Sequence, residues 1–249
     1  MLTILLILLA SAFVPSLLYM VFIRNAERYR PVDWWTMASL FIWGALFAVI
    51  LTLAISILFL GVLSLETLQE EYMFLQRLQD PTVMTLFTVC VVAPLVEEFA
   101  KVMGVVRKKR RIVELEDGLV MGAAVGLGFA ATENLLYGSS AYIQYGFQSF
   151  VVLIVVRSVA STLLHGSASA VAGYGISKGK FHGGYHAVPY YFVAVLMHGA
   201  FNYLASMGLL YDGDIPLLAL MAAVIFSLVS FKLVRGKIKE LDGKVTYRI

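Results

Sequence analysis

Seven apolar runs, each close to the ~20 residues a helix needs to cross ~30 Å of hydrocarbon, occupy nearly all of the 249-residue sequence. By residue number they are 2–23, 35–63, 82–106, 118–137, 150–176, 188–210 and 215–234. Almost nothing is left outside them to build a soluble domain. Composition agrees: 60% of residues are hydrophobic and 14% charged, where a soluble domain has ~45–50% apolar and ~25% charged residues. The expected fold is all-α, a polytopic transmembrane helical bundle of about seven spans, forming one integral membrane domain over 1–249. Such a chain belongs in a lipid bilayer as a multi-pass protein of a cell membrane. A net charge of +3 distributed by membrane topology carries no nucleic-acid signal. The single cysteine, Cys90, excludes an intrachain disulfide.

Basic residues set the orientation. Arg24, Arg28 and Arg30 follow the first run, Arg107 to Arg111 follow the third, and Lys178 and Lys180 follow the fifth. Lys232, Arg235, Lys237, Lys239, Lys244 and Arg248 lie at or beyond the end of the last. The alternate segments hold only Arg77 beside Glu66, Glu70, Glu71, Asp80, Asp212 and Asp214. By the positive-inside pattern the N-terminus is outside and the C-terminus inside. Ala10-Ser11-Ala12 resembles a signal cleavage site, but no basic stretch precedes the first run and arginines follow it, so an uncleaved anchor is expected. Segment 64–80 has apolar residues near helical spacing (Leu65, Leu68, Tyr72, Leu75 and Leu78) and reads either as a surface helix or as an extension of its neighbour. His182 and His186 are four apart, but Gly183 and Gly184 between them point to a loop.

Ionisable groups at depth are the anomaly. Glu97, Glu98 and Lys101 sit inside the third run, where each charge costs at least ~2.5–3.5 kcal/mol on insertion scales. At ~1.5 Å per residue, Glu97 and Glu98 fall roughly 12–14 Å from the cytoplasmic end of their helix, and His165 and His198 fall at about 16 Å. Glu133 and Asn202 come out higher, at roughly 22 Å. Lys101 can pair with Glu97 at i,i+4 or Glu98 at i,i+3. Pro94 removes a backbone bond just before them. Gly118, Gly122 and Gly126 form a ridge suited to close helix approach. Arg157, Ser158, Ser161, Thr162, His165 and Ser169 form a polar stripe on the fifth run, and His198 and Asn202 share a face of the sixth.

Each residue taken singly has a structural reading: an ion pair with Lys101, an Arg157–Glu133 pair, a histidine or Asn202 as interhelical glue. Together, three glutamates and two histidines exceed what packing requires and mark a site. Glutamate and imidazole from separate helices are natural ligands of a divalent metal such as Zn²⁺, with a spare glutamate as base. The same set works without metal, with glutamate taking a proton from water while His198 and Asn202 donate to the oxyanion. Both schemes hydrolyse a carbonyl bond inside the membrane. A silent scaffold for single-span partners, or a small transporter, are the readings from other classes.

The motifs Glu97-Glu98-Phe99-Ala100-Lys101, Glu116-Asp117-Gly118 leading to Gly128-Phe129-Ala130-Ala131-Thr132-Glu133-Asn134, Arg157 with His165, and His198-Gly199-Ala200-Phe201-Asn202 stand in order on successive spans. In this set, over roughly residues 85–205, the chain resembles the PrsW family of intramembrane proteases, within the superfamily of type II CAAX prenyl endopeptidases. It departs from the CAAX pattern at Lys101, three residues after Glu98 rather than an arginine four after it. It departs again at Glu133, where those relatives carry histidine. The resemblance implies a protease with its catalytic core in about 82–210, acting on single-span membrane proteins of the anti-sigma-factor type. It implies Glu97 as water activator with Glu98 beside it, and Glu133 as ligand or water holder. His198 and Asn202 form the oxyanion side, and His165 is left as a fourth ligand. The metal set under this reading is Glu97, Glu133, His165 and His198, supported by Lys101 and Arg157.

Overall fold

The computed structural model of the chain describes residues 2–63, 72 and 76–245. Among them there is no strand. The helices are α1 (Leu2–Arg24), α2 (Trp34–Ile42), α3 (Val49–Leu63), α4 (Pro81–Phe87), α5 (Ala93–Arg107), α6 (Asp117–Val159), α7 (Ser161–His182), α8 (Ala187–Ala205) and α9 (Ile215–Val245). A π-helical turn, Trp43–Ala48, joins α2 to α3, and another, Thr88–Val92, joins α4 to α5. Most of the amphipathic 64–80 segment falls outside the described residues.

Five continuous helical stretches are long and apolar enough to cross a membrane: Leu2–Arg24, Trp34–Leu63, Pro81–Arg107, Asp117–His182 and Ile215–Lys244. The fourth is 66 residues long and contains two of the expected spans. It reverses at Gly146, whose φ of +83° and ψ of −178° lie in a region essentially open only to glycine. Beyond that turn Phe150 and Ile154 fold back against Gly138. The α8 helix, expected as a span, is not among the five. Its polar residues Tyr190, Tyr191, His198, Asn202 and Tyr203 dilute its apolar content, and two of these, His198 and Asn202, carry side-chain contacts at the site described below. Large apolar side chains cover the exterior, with Ile57, Leu58, Ile143 and Leu196 all prominently exposed.

Lipid is as apolar as leucine, so helices in a bilayer gain by close packing rather than by escaping water. The first half of α6 provides that packing. Every residue from Asp117 to Ala131 is buried. On one side Gly118 lies against Gly173, Gly122 against Ser169 and Gly126 against His165, stepping four up one helix and four down the other. A Cβ on Gly122 or Gly126 would stand 2.1 Å from the Ser169 or His165 carbonyl oxygen, so only glycine permits the approach. The anticipated glycine ridge thus pins the backbone of His165 to α6. On the opposite side Gly128 lies against the Phe41 carbonyl, and Gly44 of the first π turn against that of Val125.

Each π turn is tied to a neighbouring helix. Thr132 donates through Oγ1 to the Ala45 carbonyl at 2.6 Å, and Asn202 donates through Nδ2 to the Val89 carbonyl at 2.8 Å. The second bond follows from the sequence. In a π turn residue i accepts from i+5, as Thr88 does from the Ala93 N–H. Val89 would accept from residue 94, a proline with no N–H. Asn202 supplies the missing donor.

Candidate active site

The α5 helix brings Glu97, Glu98 and Lys101 to one face, turned toward α6, α7 and α8. The Lys101 ammonium is buried and fills its donor capacity with Glu98 Oε1 at 2.9 Å, Glu97 Oε2 at 3.3 Å and His165 Nδ1 at 2.8 Å. It also lies 4.0 Å from the centre of the Phe129 ring. The two adjacent glutamates are not equivalent. Glu98 has no exposed side-chain surface and accepts from Lys101, from Ser169 Oγ at 3.0 Å and from His198 Nδ1 at 3.1 Å. Glu97 holds only Lys101 at hydrogen-bond distance and borders an internal cavity of about 200 Å³. Glu133, Arg157, His165, His198 and Asn202 border the same cavity.

These contacts assign both imidazoles. An ammonium only donates, so His165 accepts at Nδ1 and carries its proton on Nε2, which points to Glu133 Oε2 at 2.9 Å. Carboxylate Glu98 only accepts, so His198 donates from Nδ1; as a neutral ring it then has a bare Nε2, 3.8 Å from Glu97 Oε2. The rings meet edge to face, with centroids 4.6 Å apart. Glu133 is held on its other side by Arg157 Nη2 at 2.8 Å, and Arg157 donates from Nε to Asn134 Oδ1 at 2.9 Å. Asn134 in turn donates to Thr162 Oγ1 at 2.8 Å. One polar chain therefore runs from α8 through α5 and α7 to α6.

All eight site residues expected from sequence are brought together, and the separate levels estimated for Glu133 and His165 collapse into direct contact. Their arrangement differs from expectation in detail. Asn202 reaches the cavity, yet its amide is tied to Val89. Glu133 lies outside the trio Glu97, His165 and His198, whose ligand atoms fall within 4.8 Å of one another. His182 and His186 flank the Gly183–Gly184 turn, apart from that trio. Tyr137 and Ser206 were not anticipated. Tyr137, whose ring lies 4.1 Å beneath the Arg157 guanidinium, stands four residues after Glu133 on the same helix face, and that spacing was the available signal.

The donor set fits a divalent metal. Zn²⁺ bonds of ~2.0–2.1 Å would place ligand atoms roughly 3.3–3.5 Å apart, a closure of at most about 1.5 Å from the present spread of up to 4.8 Å. His198, with Nδ1 bound to a carboxylate and Nε2 bare, has the arrangement usual for a metal-ligating histidine. His165 would join as its other neutral tautomer, the Nε2 proton passing to Glu133 and Nδ1 taking one from Lys101.

The family described as PrsW family intramembrane metalloprotease matches residues 32–230, which contain every residue of this site. The chain belongs to the PrsW family. It is 29% identical over 201 residues to Protease PrsW of Clostridioides difficile (strain 630), covering 78% of this chain and 76% of that protein. It is 29% identical over 116 residues to Protease PrsW of Oceanobacillus iheyensis, covering 44% of this chain and 50% of that protein. No solved structure matches. The chain is thus an all-helical, multi-pass member of an intramembrane protease family, as its motifs implied.

Proposed function

We propose that this PrsW-family chain is a glutamate- and histidine-dependent endopeptidase of the prokaryotic cell membrane. It crosses the bilayer seven times, N-terminus out and C-terminus in. It cleaves a peptide bond of a single-span membrane protein, of the anti-sigma-factor type associated with the family. The observation that carries the reading is the division between the paired glutamates: Glu97 faces the cavity with His165 and His198, while Glu98 is closed off beneath three donors. The seven-pass count is supported by the reversal at Gly146 and by the 19-residue α8, about 28 Å long.

In this mechanism a water sits between Glu97 and the bare Nε2 of His198. Glu97 takes its proton as the oxygen adds to the scissile carbonyl carbon. Glu98 holds His198 with Nδ1 as the donor and anchors Lys101, which in turn orients Glu97. Glu133 holds water on the far side against His165, and Asn202 keeps the wall of the cavity in place through Val89. Glu97, His165 and His198 would hold a divalent ion such as Zn²⁺, with Glu133 as an added ligand. When bound, such an ion supplies Lewis acidity for the carbonyl and an acidified water.

The test is co-expression with epitope-tagged single-span membrane proteins. Wild-type protein should release a shortened product that Glu97→Gln does not. Persistence of cleavage in both Glu97→Gln and Glu98→Gln would remove these glutamates from the chemistry. For the metal, protein purified without added ion should contain one equivalent, and both metal and cleavage should be lost on dialysis against a strong chelator. An active, metal-free protein would overturn the metal assignment.

A further inference from the structure

We propose that Arg157 is a catalytic residue, the donor that binds the scissile carbonyl oxygen and the oxyanion formed from it. This rests on the protease reading and adds a role for the cation facing Glu97 across the cavity. The donors of the site can be sorted by what they already bind. Lys101 has no exposed side-chain surface and all three of its protons are directed at Glu97, Glu98 and His165. His165 directs its Nε2 proton at Glu133, and His198 offers only a lone pair at Nε2. The Asn202 amide spends one of its two protons on the Val89 carbonyl, which fixes the group on that wall of the cavity.

Arg157 differs from all of these. Its guanidinium is fixed on two edges, Nε on Asn134 and Nη2 on Glu133, and its face is backed by Tyr137. Nη1 has no hydrogen-bond partner among the described residues, and the residue borders the cavity. Its side chain is 17% exposed, against 8% for Glu97 and none for Lys101. Of the two cations in the site, it alone has surface with which to meet a substrate. A guanidinium held by a carboxylate, an amide and a ring cannot swing, so Nη1 is a donor preorganised before substrate arrives, the condition under which an oxyanion contact costs no reorganisation.

The step balances as follows. Water oxygen bonds to the carbonyl carbon, its proton passes to Glu97, and the C=O π pair moves onto the oxygen facing Nη1 of Arg157. That pair then re-forms C=O as the C–N bond breaks, and Glu97 returns its proton to the leaving nitrogen. One water is consumed, and a carboxylic acid and an amine result.

The experiment uses full-length protein in lipid nanodiscs, with a library of single-span synthetic peptides as the probe and mass spectrometry to identify those cut. Arg157→Lys keeps the charge and the reach to Glu133 but withdraws the planar fork. It should lower kcat by about 10²–10³-fold, the usual cost of one oxyanion donor, with KM little changed. Millimolar guanidinium added to Arg157→Ala should restore part of the lost kcat, and the thermal midpoint of Arg157→Lys should match wild type. Wild-type kcat in Arg157→Lys would overturn the inference, as would a loss that appears in KM and thermal midpoint together and does not respond to guanidinium. Wild-type protein that cuts no peptide in the library, or any co-expressed single-span protein, would overturn the protease reading and this inference with it.

Discussion

Asn202 donates to the Val89 carbonyl over 2.8 Å, and Pro94 is the reason that carbonyl is free. The pair links the helix carrying His198 to the π turn that leads into Glu97. Asn202→Ala should cost at most about 1–3 kcal/mol, the penalty for a fully buried acceptor without a partner, since this bond is partly buried. Pro94→Ala restores an N–H at the position Val89 needs, so Asn202→Ala should cost less in a Pro94→Ala background. Thermal unfolding of the two single variants and the double variant in one detergent gives the coupling. Strict additivity would separate the amide from the proline.

Lys101 balances two carboxylates with no side-chain surface exposed of its own. Lys101→Met removes the ammonium from both carboxylates, leaving Glu97 without its hydrogen-bond partner and Glu98 with Ser169 and His198 alone. The variant should lose about 3–5 kcal/mol of stability, the cost of breaking a buried ion pair from one side. Chemical denaturation in mild detergent measures this directly, and a stability equal to wild type would show that the carboxylates do not depend on the ammonium.

The paired glutamates should part company on mutation. Glu97→Gln should lower kcat by roughly 10²–10⁴-fold, as expected on removal of a general base, while melting near wild type, because Glu97 supports only Lys101. Glu98→Gln should lower the melting temperature as well, because Lys101, Ser169 and His198 all donate to it. Equal melting temperatures would contradict the assignment of Glu98 as the anchor.

Stability should also fall with rising pH through a cluster at one end of the bundle. Burial pushes the Glu27 carboxyl from 4.5 up to about 8, against the Val32 N–H bond that lowers it, with Asp117, Glu116 and Asp242 adding to the rise. Burial likewise lifts Glu116 to about 7. Oε1 of each is buried without a hydrogen-bond partner among the described residues. A carboxyl whose folded pKa is raised binds its proton more tightly in the folded state. Its stabilisation is complete below about pH 4.5 and is lost as pH rises to about 7 for Glu116 and 8 for Glu27. The melting temperature should therefore decline from pH 5 to pH 8, and Glu27→Gln should flatten that decline.

The site was legible as a set of residues because charge in a bilayer is too costly to be incidental. Glu97, Glu98, Lys101 and Arg157 stood out against their apolar runs, and the shared level of the glutamates and histidines placed the runs beside one another. The family resemblance, carried by the same motifs, proved correct over residues 32–230. Span 188–210 was harder to read by apolarity, since the residues that build the site are those that make α8 polar.

What the sequence determined by itself was the class of fold, the candidate residues and the family, because membrane insertion and close glycine packing act on local pattern. What only the tertiary structure decided was which groups each of those residues faces. Glu97 differs from Glu98, and His198 from His165, solely in which groups from other helices face them. Val89 needs Asn202 because a π turn, invisible in residue spacing, aligns its carbonyl with Pro94. In a site this buried, a proton's position is set by the nearest donor or acceptor, and for both histidines that partner lies tens of residues away along the chain.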